Sequence, residues 1–188
     1  MSLVLVQMHG HPGSGKSAVA RELGRALPAV VIDKDVISSA LLRSGVARED
    51  VGRLSYQVMY AQAARFLRDG HSVVFDSPCF WPIIEQHTRR IASAASAAWC
   101  MVETQCSDEV RDERLAMRDR LESNPAARDL GPMSAGMYHP QCERLILDTS
   151  QPLADVVAGA EQYVMALNPQ PPIPSSSSRE SGSKAVVR

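Results

Sequence analysis

The chain of 188 residues is 45% hydrophobic and 22% charged, an ordinary composition for one globular domain with a buried core. Its formal net charge of −1 provides no overall basic field, which argues against nucleic acid as a partner, and no apolar run approaches the length of a membrane span. The N-terminus carries no leader pattern and the four cysteines lack disulfide or zinc spacing, so we expect a cytoplasmic protein with reduced thiols.

Short apolar runs alternate with helical periods along the chain. Strands are predicted at 3–8, 29–32, 71–76, 98–103 and 145–148, and helices from near Lys16 and over 36–43, 50–68, 83–94, 108–121 and 152–166. The longest helix is amphipathic, and the residues expected near one face are Leu54, Val58, Ala61 and Phe66. This alternation predicts an α/β fold, in which helices cover both faces of a parallel sheet.

The most specific motif is GHPGSGKS at residues 10–17, which matches the phosphate-binding pattern G-x-x-x-x-G-K-[ST] between a predicted strand and a predicted helix. Glycines allow such a loop to take positive φ and to point its N–H groups at a phosphate. We expect Lys16 to reach the β- and γ-phosphates of ATP and Ser17 to ligate Mg²⁺. The residues expected to bind the nucleotide are Gly10, His11, Pro12, Gly13, Ser14, Gly15, Lys16, Ser17 and Ala18. No catalytic role is assigned to His9 or His11.

Acidic residues follow the second and third predicted strands. Because open parallel sheets bind ligands beyond the carboxyl ends of their strands, Asp33, Asp35 and Asp76 are expected at the same rim as the phosphate loop. Asp76 is placed like a carboxylate that faces Mg²⁺, with a turn-starting role as the alternative. Asp33 is expected to face Mg²⁺ through water or to hold Lys34 and the loop. Asp35 also suits the N-cap of a helix that begins at Val36.

Two segments lack a clear period. Residues 123–141 collect proline and glycine and are interpreted either as a mobile lid facing the acceptor or as a solvated connector. The stretch beyond Asn168 is rich in proline and serine and is predicted to be disordered. We therefore expect one domain over 1–167, with a lid at about 111–141, and a disordered tail over 168–188.

The order of these motifs resembles that of the small P-loop kinases, a group that includes chloramphenicol phosphotransferase, zeta toxin, the 5′-kinase domain of polynucleotide kinase and similar AAA-type ATP-binding proteins. The resemblance covers about residues 1–165 and rests on GHPGSGKS, IDKD at 32–35, VVFD at 73–76, the helix with Arg114 and Arg118, and LDTS at 147–150. It implies a three-layer P-loop NTPase fold, with a five-stranded parallel sheet in the order 2-3-1-4-5 and a helical lid. It also implies transfer of the γ-phosphoryl group of ATP to a hydroxyl.

The resemblance extends to individual residues. In the similar kinases, an acid just after the second strand takes the acceptor's proton, and Asp35 holds that position here. The chemistry agrees, because a carboxylate can both orient a hydroxyl and accept its proton. The similar kinases also place lid arginines over the β- and γ-phosphates, which implies Arg114 and Arg118, with Arg111 and Arg120 in reserve. Ion pairing on a solvated helix face is the alternative for these arginines.

The identity of the phosphoryl acceptor is the property that the sequence predicts least clearly. Polynucleotide kinases carry an arginine where this chain has Ser38, so a small uncharged hydroxyl compound is the first expectation. Phe80, Trp81 and Tyr138 are candidates either for its pocket or for the core. The alternative functions are a regulatory protein that binds or hydrolyses a nucleoside triphosphate without a dedicated acceptor, and a nucleotide or polynucleotide 5′-hydroxyl kinase. The sequence gives no indication of oligomeric state.

Overall fold

A computed structural model describes residues 2–117 and 138–167 of the chain. Strands and helices alternate through this part, with one consecutive pair of helices after the second strand. In chain order the elements are β1 (Val4–His9), α1 (Lys16–Ala26), β2 (Val30–Asp33), α2 (Lys34–Arg43), α3 (Arg48–Arg68), β3 (Val73–Asp76), α4 (Pro82–Ala94), β4 (Ala98–Gln105), α5 (Asp108–Met117), β5 (Leu145–Asp148) and α6 (Leu153–Leu167).

The five strands form one parallel sheet in the order β2-β3-β1-β4-β5, which confirms the expected topology. The phosphate loop follows the central strand β1, and its neighbours β3 and β4 flank it. Asp33 at the end of β2 is in register with Asp76 at the end of β3. The topology therefore brings the acids and the loop to the same edge, as the sequence predicted.

Helices cover both faces of the sheet, so the central strand is buried on both sides. On one face, Val4, Val6 and Met8 of β1 pack in a cluster with residues of α1 and α6. On the other face, Leu5 packs with residues of α3 and α4, including Met59. This three-layer arrangement holds the strand ends rigidly and leaves their carboxyl edge open to a ligand.

The buried face of α3 differs from the expected one. The side chains turned toward the core are spaced four residues apart, at Val51, Ser55, Met59, Ala63 and Leu67, with Tyr56 beside them. Val58 and Ala61 are exposed, and Leu54 and Phe66 are only partly buried. The prediction was wrong because small residues such as Ser55 and Ala63 let α3 approach its neighbours closely, which apolar periodicity alone does not reveal.

Three expectations lie wholly or partly outside the described residues: the end of the helix over 108–121, most of the segment over 123–141, and the tail over 168–188.

Pro82 opens α4, the position that a proline suits because a first-turn N–H has no partner within the helix. Across residues 2–117 and 138–167, no helix combines the length and apolarity needed to cross a bilayer. The four cysteines are free thiols, and Cys79 and Cys100 are buried.

Candidate active site

A cavity of about 480 Å³ opens at the carboxyl edge of the sheet. It is bounded by the phosphate loop, the ends of β2 and β3, and α5. The predicted site residues that line it are Pro12, Gly13, Gly15, Lys16, Ser17, Ala18, Asp33, Asp35, Asp76 and Arg114. Lining residues without a role in the sequence prediction include Arg21, Lys34 and Met117, and Ser77 and Pro78 also line the cavity. Phe80 also lines the cavity, whereas Trp81 does not and is 58% exposed.

The phosphate loop has the backbone conformation that its glycines predict. Gly10, Gly13 and Gly15 all have positive φ, at 132°, 84° and 86°. A Cβ on Gly13 would also lie 2.8 Å from Arg111 Cγ and 2.9 Å from Leu115 Cγ, so this position needs glycine for space as well as conformation. Gly15 forms the N-cap of α1 and has no side chain to cap the helix. Gly15 and the first residues of α1 line the cavity, so the N-terminus of the helix faces it.

Lys16 lies at the start of α1 and lines the cavity. Its Nζ donates a hydrogen bond of 2.7 Å to the carbonyl oxygen of His11, so the ammonium lies across the loop. Burial and the nearby charge of Lys16 lower the pKa of His11. The loop is thus an electropositive environment in which a neutral imidazole is favoured, which suits an anionic ligand.

Two threonines, one at the end of β4 and one just after β5, form hydrogen bonds with the phosphate loop at Ser14. Ser14 Oγ lies 2.7 Å from Thr104 Oγ1 at the end of β4. Thr149, which follows β5, has its Oγ1 2.8 Å from the carbonyl oxygen of Ser14 and 3.1 Å from that of Gln105. The sequence assigned no role to Thr149, although the LDTS motif that contains it was noted. Its contact with Ser14 spans 135 residues of chain, and only the tertiary structure reveals it.

Arg114 projects from α5 into the cavity and is held by Thr149. Its two terminal nitrogens donate to Thr149 Oγ1 at 2.9 Å and to the Thr149 carbonyl at 2.6 Å. These two bonds fix the position of the guanidinium beside the phosphate loop and use two of its N–H donors. Arg118, expected on the same face, lies outside the described residues, as does Arg120.

Arg111, a reserve candidate, is a structural residue. Its guanidinium is buried, and it pairs with Asp108 at 3.1 Å and with Asp112 at 2.8 Å. Its side chain packs against the Cα of Gly13. Arg111 therefore forms the ion pairs of the alternative but is buried rather than on a solvated face, whereas Arg114 lines the cavity.

Asp76 is the most buried acid of the cavity, with 4% of its surface exposed. Burial, assisted by the charge of Asp33, raises the pKa of Asp76 to about 6. The Ser17 hydroxyl donates a hydrogen bond to its carboxylate, which partly offsets this rise. A buried carboxylate bonded to the loop serine is a set of hard oxygen donors of the kind that Mg²⁺ prefers.

The residues present fit Mg²⁺ better than a metal held by protein alone. In the described part of the chain, no group of three or more His, Cys, Asp or Glu side chains is arranged to hold an ion. Mg²⁺ usually keeps several waters and takes only one or two carboxylates together with phosphate oxygens. Ser17, Asp76 and Asp33 could supply such a partial set.

The two acids after β2 have different structural roles. Asp33 Oδ1 accepts hydrogen bonds from the backbone N–H groups of Asp35 at 2.8 Å and Val36 at 3.3 Å, so Asp33 is the N-cap of α2. The alternative role of Asp35 as the cap was wrong, because α2 begins at Lys34, two residues before the predicted start at Val36. Asp35 instead lies in the first turn of α2, where its side chain lines the cavity.

A second polar cluster lies beneath the loop, away from the cavity. His9 is fully buried, and burial lowers its pKa to about 4, so the imidazole is neutral. Glu103 lies 4.0 Å from His9 Nε2 and is bonded to Arg144 and Gln105. Neither His9 nor Glu103 lines the cavity.

Comparison with known proteins agrees with this geometry. Residues 5–137 match the family AAA_33, described as an AAA domain. The chain belongs to this family. An APS kinase of Mycobacterium tuberculosis, solved with AMPPNP and APS, has the same fold with a TM-score of 0.66, at 19% identity over 89% of this chain and 98% of its own. A gluconokinase of Sinorhizobium meliloti aligns with a TM-score of 0.62, at 21% identity over 88% and 93%.

The relatives in sequence include uncharacterised proteins and a nucleotide kinase. This AAA_33 domain is 29% identical over 145 residues to uncharacterised proteins of Mycobacterium bovis and Mycobacterium tuberculosis, covering 70% of this chain. The chain spans only 29% of the length of those relatives. It is also 27% identical over 129 residues to a cytidylate kinase of Pyrobaculum calidifontis, covering 68% of this chain and 67% of that enzyme. The fold is thus that of P-loop kinases, and the narrower likeness to chloramphenicol phosphotransferase and zeta toxin remains a prediction.

Proposed function

We propose that this AAA_33 domain is an ATP-dependent kinase that transfers the γ-phosphoryl group to a hydroxyl of a small molecule. The observation that carries the proposal is that Asp35 lines the same cavity as the phosphate loop, Asp76 and Arg114. A protein that only binds a nucleotide needs no further carboxylate beyond those that face the metal, Asp76 and Asp33. The fold shared with kinases of small molecules supports this assignment.

The loop side of the cavity would hold the nucleotide. Backbone N–H groups over residues 10–18 would surround the phosphates, and Lys16 would exchange its bond to the His11 carbonyl for phosphate oxygens. Ser17, Asp76 and Asp33 would hold Mg²⁺, which would offset negative charge on those oxygens. Arg114, fixed by Thr149, would stabilise charge on the transferring group, and Arg118 remains a proposed partner four residues further on.

Asp35 would act on the acceptor. Its carboxylate would accept a hydrogen bond from the acceptor hydroxyl, holding that oxygen in line with the γ-phosphorus. As the new O–P bond forms, the bond from phosphorus to the bridging oxygen of ADP breaks, and the hydroxyl proton passes to Asp35. Because Asp33 caps α2, the carboxylate of Asp35 is not required for capping.

A second candidate is a nucleotide kinase, with a nucleoside monophosphate as the acceptor. The similarity to a cytidylate kinase favours it. A regulatory ATPase is the remaining alternative. It would use the loop and Asp76 but would not depend on Asp35.

The test is ATP turnover with Mg²⁺ across pooled hydroxyl metabolites and nucleoside monophosphates, with wild type, Asp35→Ala and Asp50→Ala compared. Asp50 is a matched control, since its carboxylate is half-exposed on α3 and pairs with Arg53 at the surface. We expect one pool to yield a phosphorylated product, and Asp35→Ala to lower that turnover about 10²- to 10⁴-fold with unchanged affinity for ATP. If water is the only acceptor and Asp35→Ala has no effect, the kinase assignment is overturned.

A further inference from the structure

Lys34 lines the cavity and is positively charged, but the proposed nucleotide site gives it no role. It lies between Asp33 and Asp35, is partly buried, and lines the cavity. Its Nζ donates a hydrogen bond of 3.3 Å to Ser38 Oγ and lies 5.7 Å from the centroid of the Tyr56 ring. Among the described residues, it forms no ion pair with either neighbouring acid or with any other carboxylate. A cation that served only to balance these acids would lie against them.

The Ser38 contact is part of an ordered chain of hydrogen bonds. Ser55 Oγ donates to the carbonyl of Val51 at 2.7 Å, so its only proton is already engaged. The 2.8 Å bond between Ser38 Oγ and Ser55 Oγ must therefore be donated by Ser38. Ser38 is left as an acceptor toward Lys34. Both serines are buried where α2 contacts α3. Their hydrogen bonds hold the ammonium of Lys34 in position.

The sheet order places Lys34 away from the phosphates. The phosphate loop follows β1, and Arg114 lies on α5, which follows the neighbouring strand β4. Lys34 follows β2, which is two strands from β1 on the opposite side, or about 10 Å at the usual strand spacing. Lys16 and Arg114 already serve the loop end of the cavity. Lys34 is placed with Asp35 at the acceptor end.

We propose that Lys34 binds an anionic group of the acceptor, a carboxylate or a phosphate. An ammonium has three N–H donors, and the bond to Ser38 uses one of them, so two remain for an anionic oxygen. The acceptor is then an alcohol that carries a negative charge, rather than the uncharged compound first expected from the sequence. This inference rests on the proposed kinase function, because it concerns the same cavity.

The experiment uses the full chain with ATP, Mg²⁺ and hydroxyl compounds sorted into uncharged, carboxylate-bearing and phosphate-bearing pools. Matched sets such as glycerol, glycerate and glycerol 3-phosphate belong to the three pools. Turnover and KM are measured for wild type, Lys34→Gln, Lys34→Arg and the control Arg53→Gln, which removes an exposed surface cation on α3. Binding of ATP is measured separately by calorimetry for every variant.

We expect product from an anionic pool, and the pool identifies carboxylate or phosphate. Lys34→Gln should raise KM for that acceptor at least ~10-fold, with unchanged affinity for ATP, because it removes a charge-assisted hydrogen bond. Lys34→Arg should restore part of the loss, and Arg53→Gln should have no effect. If an uncharged acceptor is phosphorylated and Lys34→Gln leaves its KM unchanged, the inference is overturned and the kinase function stands. If no pool yields product although ATP binds, both are overturned.

Discussion

Replacing Asp76 with asparagine should stabilise the ligand-free protein while removing its response to Mg²⁺ and ATP. Burial raises the pKa of this carboxyl from 3.8 to about 6. Since one pKa unit corresponds to about 1.4 kcal/mol, ionising Asp76 in the folded protein costs about 3 kcal/mol more than ionising it in the unfolded chain. Asparagine has the same shape, carries no charge and keeps an oxygen that can accept the Ser17 hydroxyl.

The sign of the effect follows from the direction of the pKa shift. Because the folded pKa is raised, the favourable contribution of Asp76 is fully present below about pH 4 and is lost as the pH rises to about 6. Asp76→Asn lacks this loss. Its advantage over wild type should therefore be smallest near pH 4, grow between about pH 4 and 6, and level off at about 3 kcal/mol above that range.

The assay is urea unfolding at a series of pH values in chelator without nucleotide, analysed only if the transition is two-state. Burial lowers the pKa of His9 to about 4, so its favourable contribution is present above about pH 6.5 and is lost as the pH falls toward 4. That change affects wild type and variant alike and cancels in their difference. Asp155→Asn, which removes an exposed acid at the start of α6, is the control and should change stability by less than about 1 kcal/mol.

A second arm adds Mg²⁺ and ATP at pH 7.5. Wild type should gain stability by binding, whereas Asp76→Asn should gain much less because it lacks the proposed ligand of the metal. A difference between the two proteins that stays flat from pH 4 to 7 would refute the argument from burial. Equal stabilisation of both by Mg²⁺ and ATP would refute the proposed metal role of Asp76.

Two further substitutions test how the loop is built. Gly13→Ala should destabilise the protein in thermal unfolding by about 1–3 kcal/mol more than Gly45→Ala. The φ angles are 84° and 85° at the two sites, but a Cβ at Gly45 meets nothing within 4 Å, so equal losses would show that the contacts of Gly13 do not matter. Thr149→Val should cost about 1–3 kcal/mol of stability and raise KM for ATP, because Arg114 and the Ser14 carbonyl lose a hydrogen-bond partner. Thr149→Ser should retain wild-type stability and KM, and a valine variant with wild-type kinetics would contradict the positioning role.

The sequence alone determined the parts of this protein that depend on local chemistry. The glycines, Lys16 and Ser17 identify the phosphate loop because few other backbones can turn their N–H groups around an anion. Alternating strands and helices determine a parallel sheet with a ligand at its carboxyl edge, and this topology predicts Asp33, Asp35 and Asp76 at that edge. These inferences succeed because residues close in the chain specify each strand, helix and loop, and the parallel topology then brings the strand ends to one edge.

Only the tertiary structure decided which of the residues at this edge have which partners. It made Asp33 rather than Asp35 the cap of α2, and it showed that Thr149 holds both the loop and Arg114. It also showed that Lys34 is bonded to Ser38 of α2, which is in turn bonded to Ser55 of α3. The contacts of Thr149 and the bond between Ser38 and Ser55 join separate elements, and they form only when those elements pack closely enough for short polar side chains to meet. The cap of α2 is a local contact, but it depends on the residue at which the helix begins.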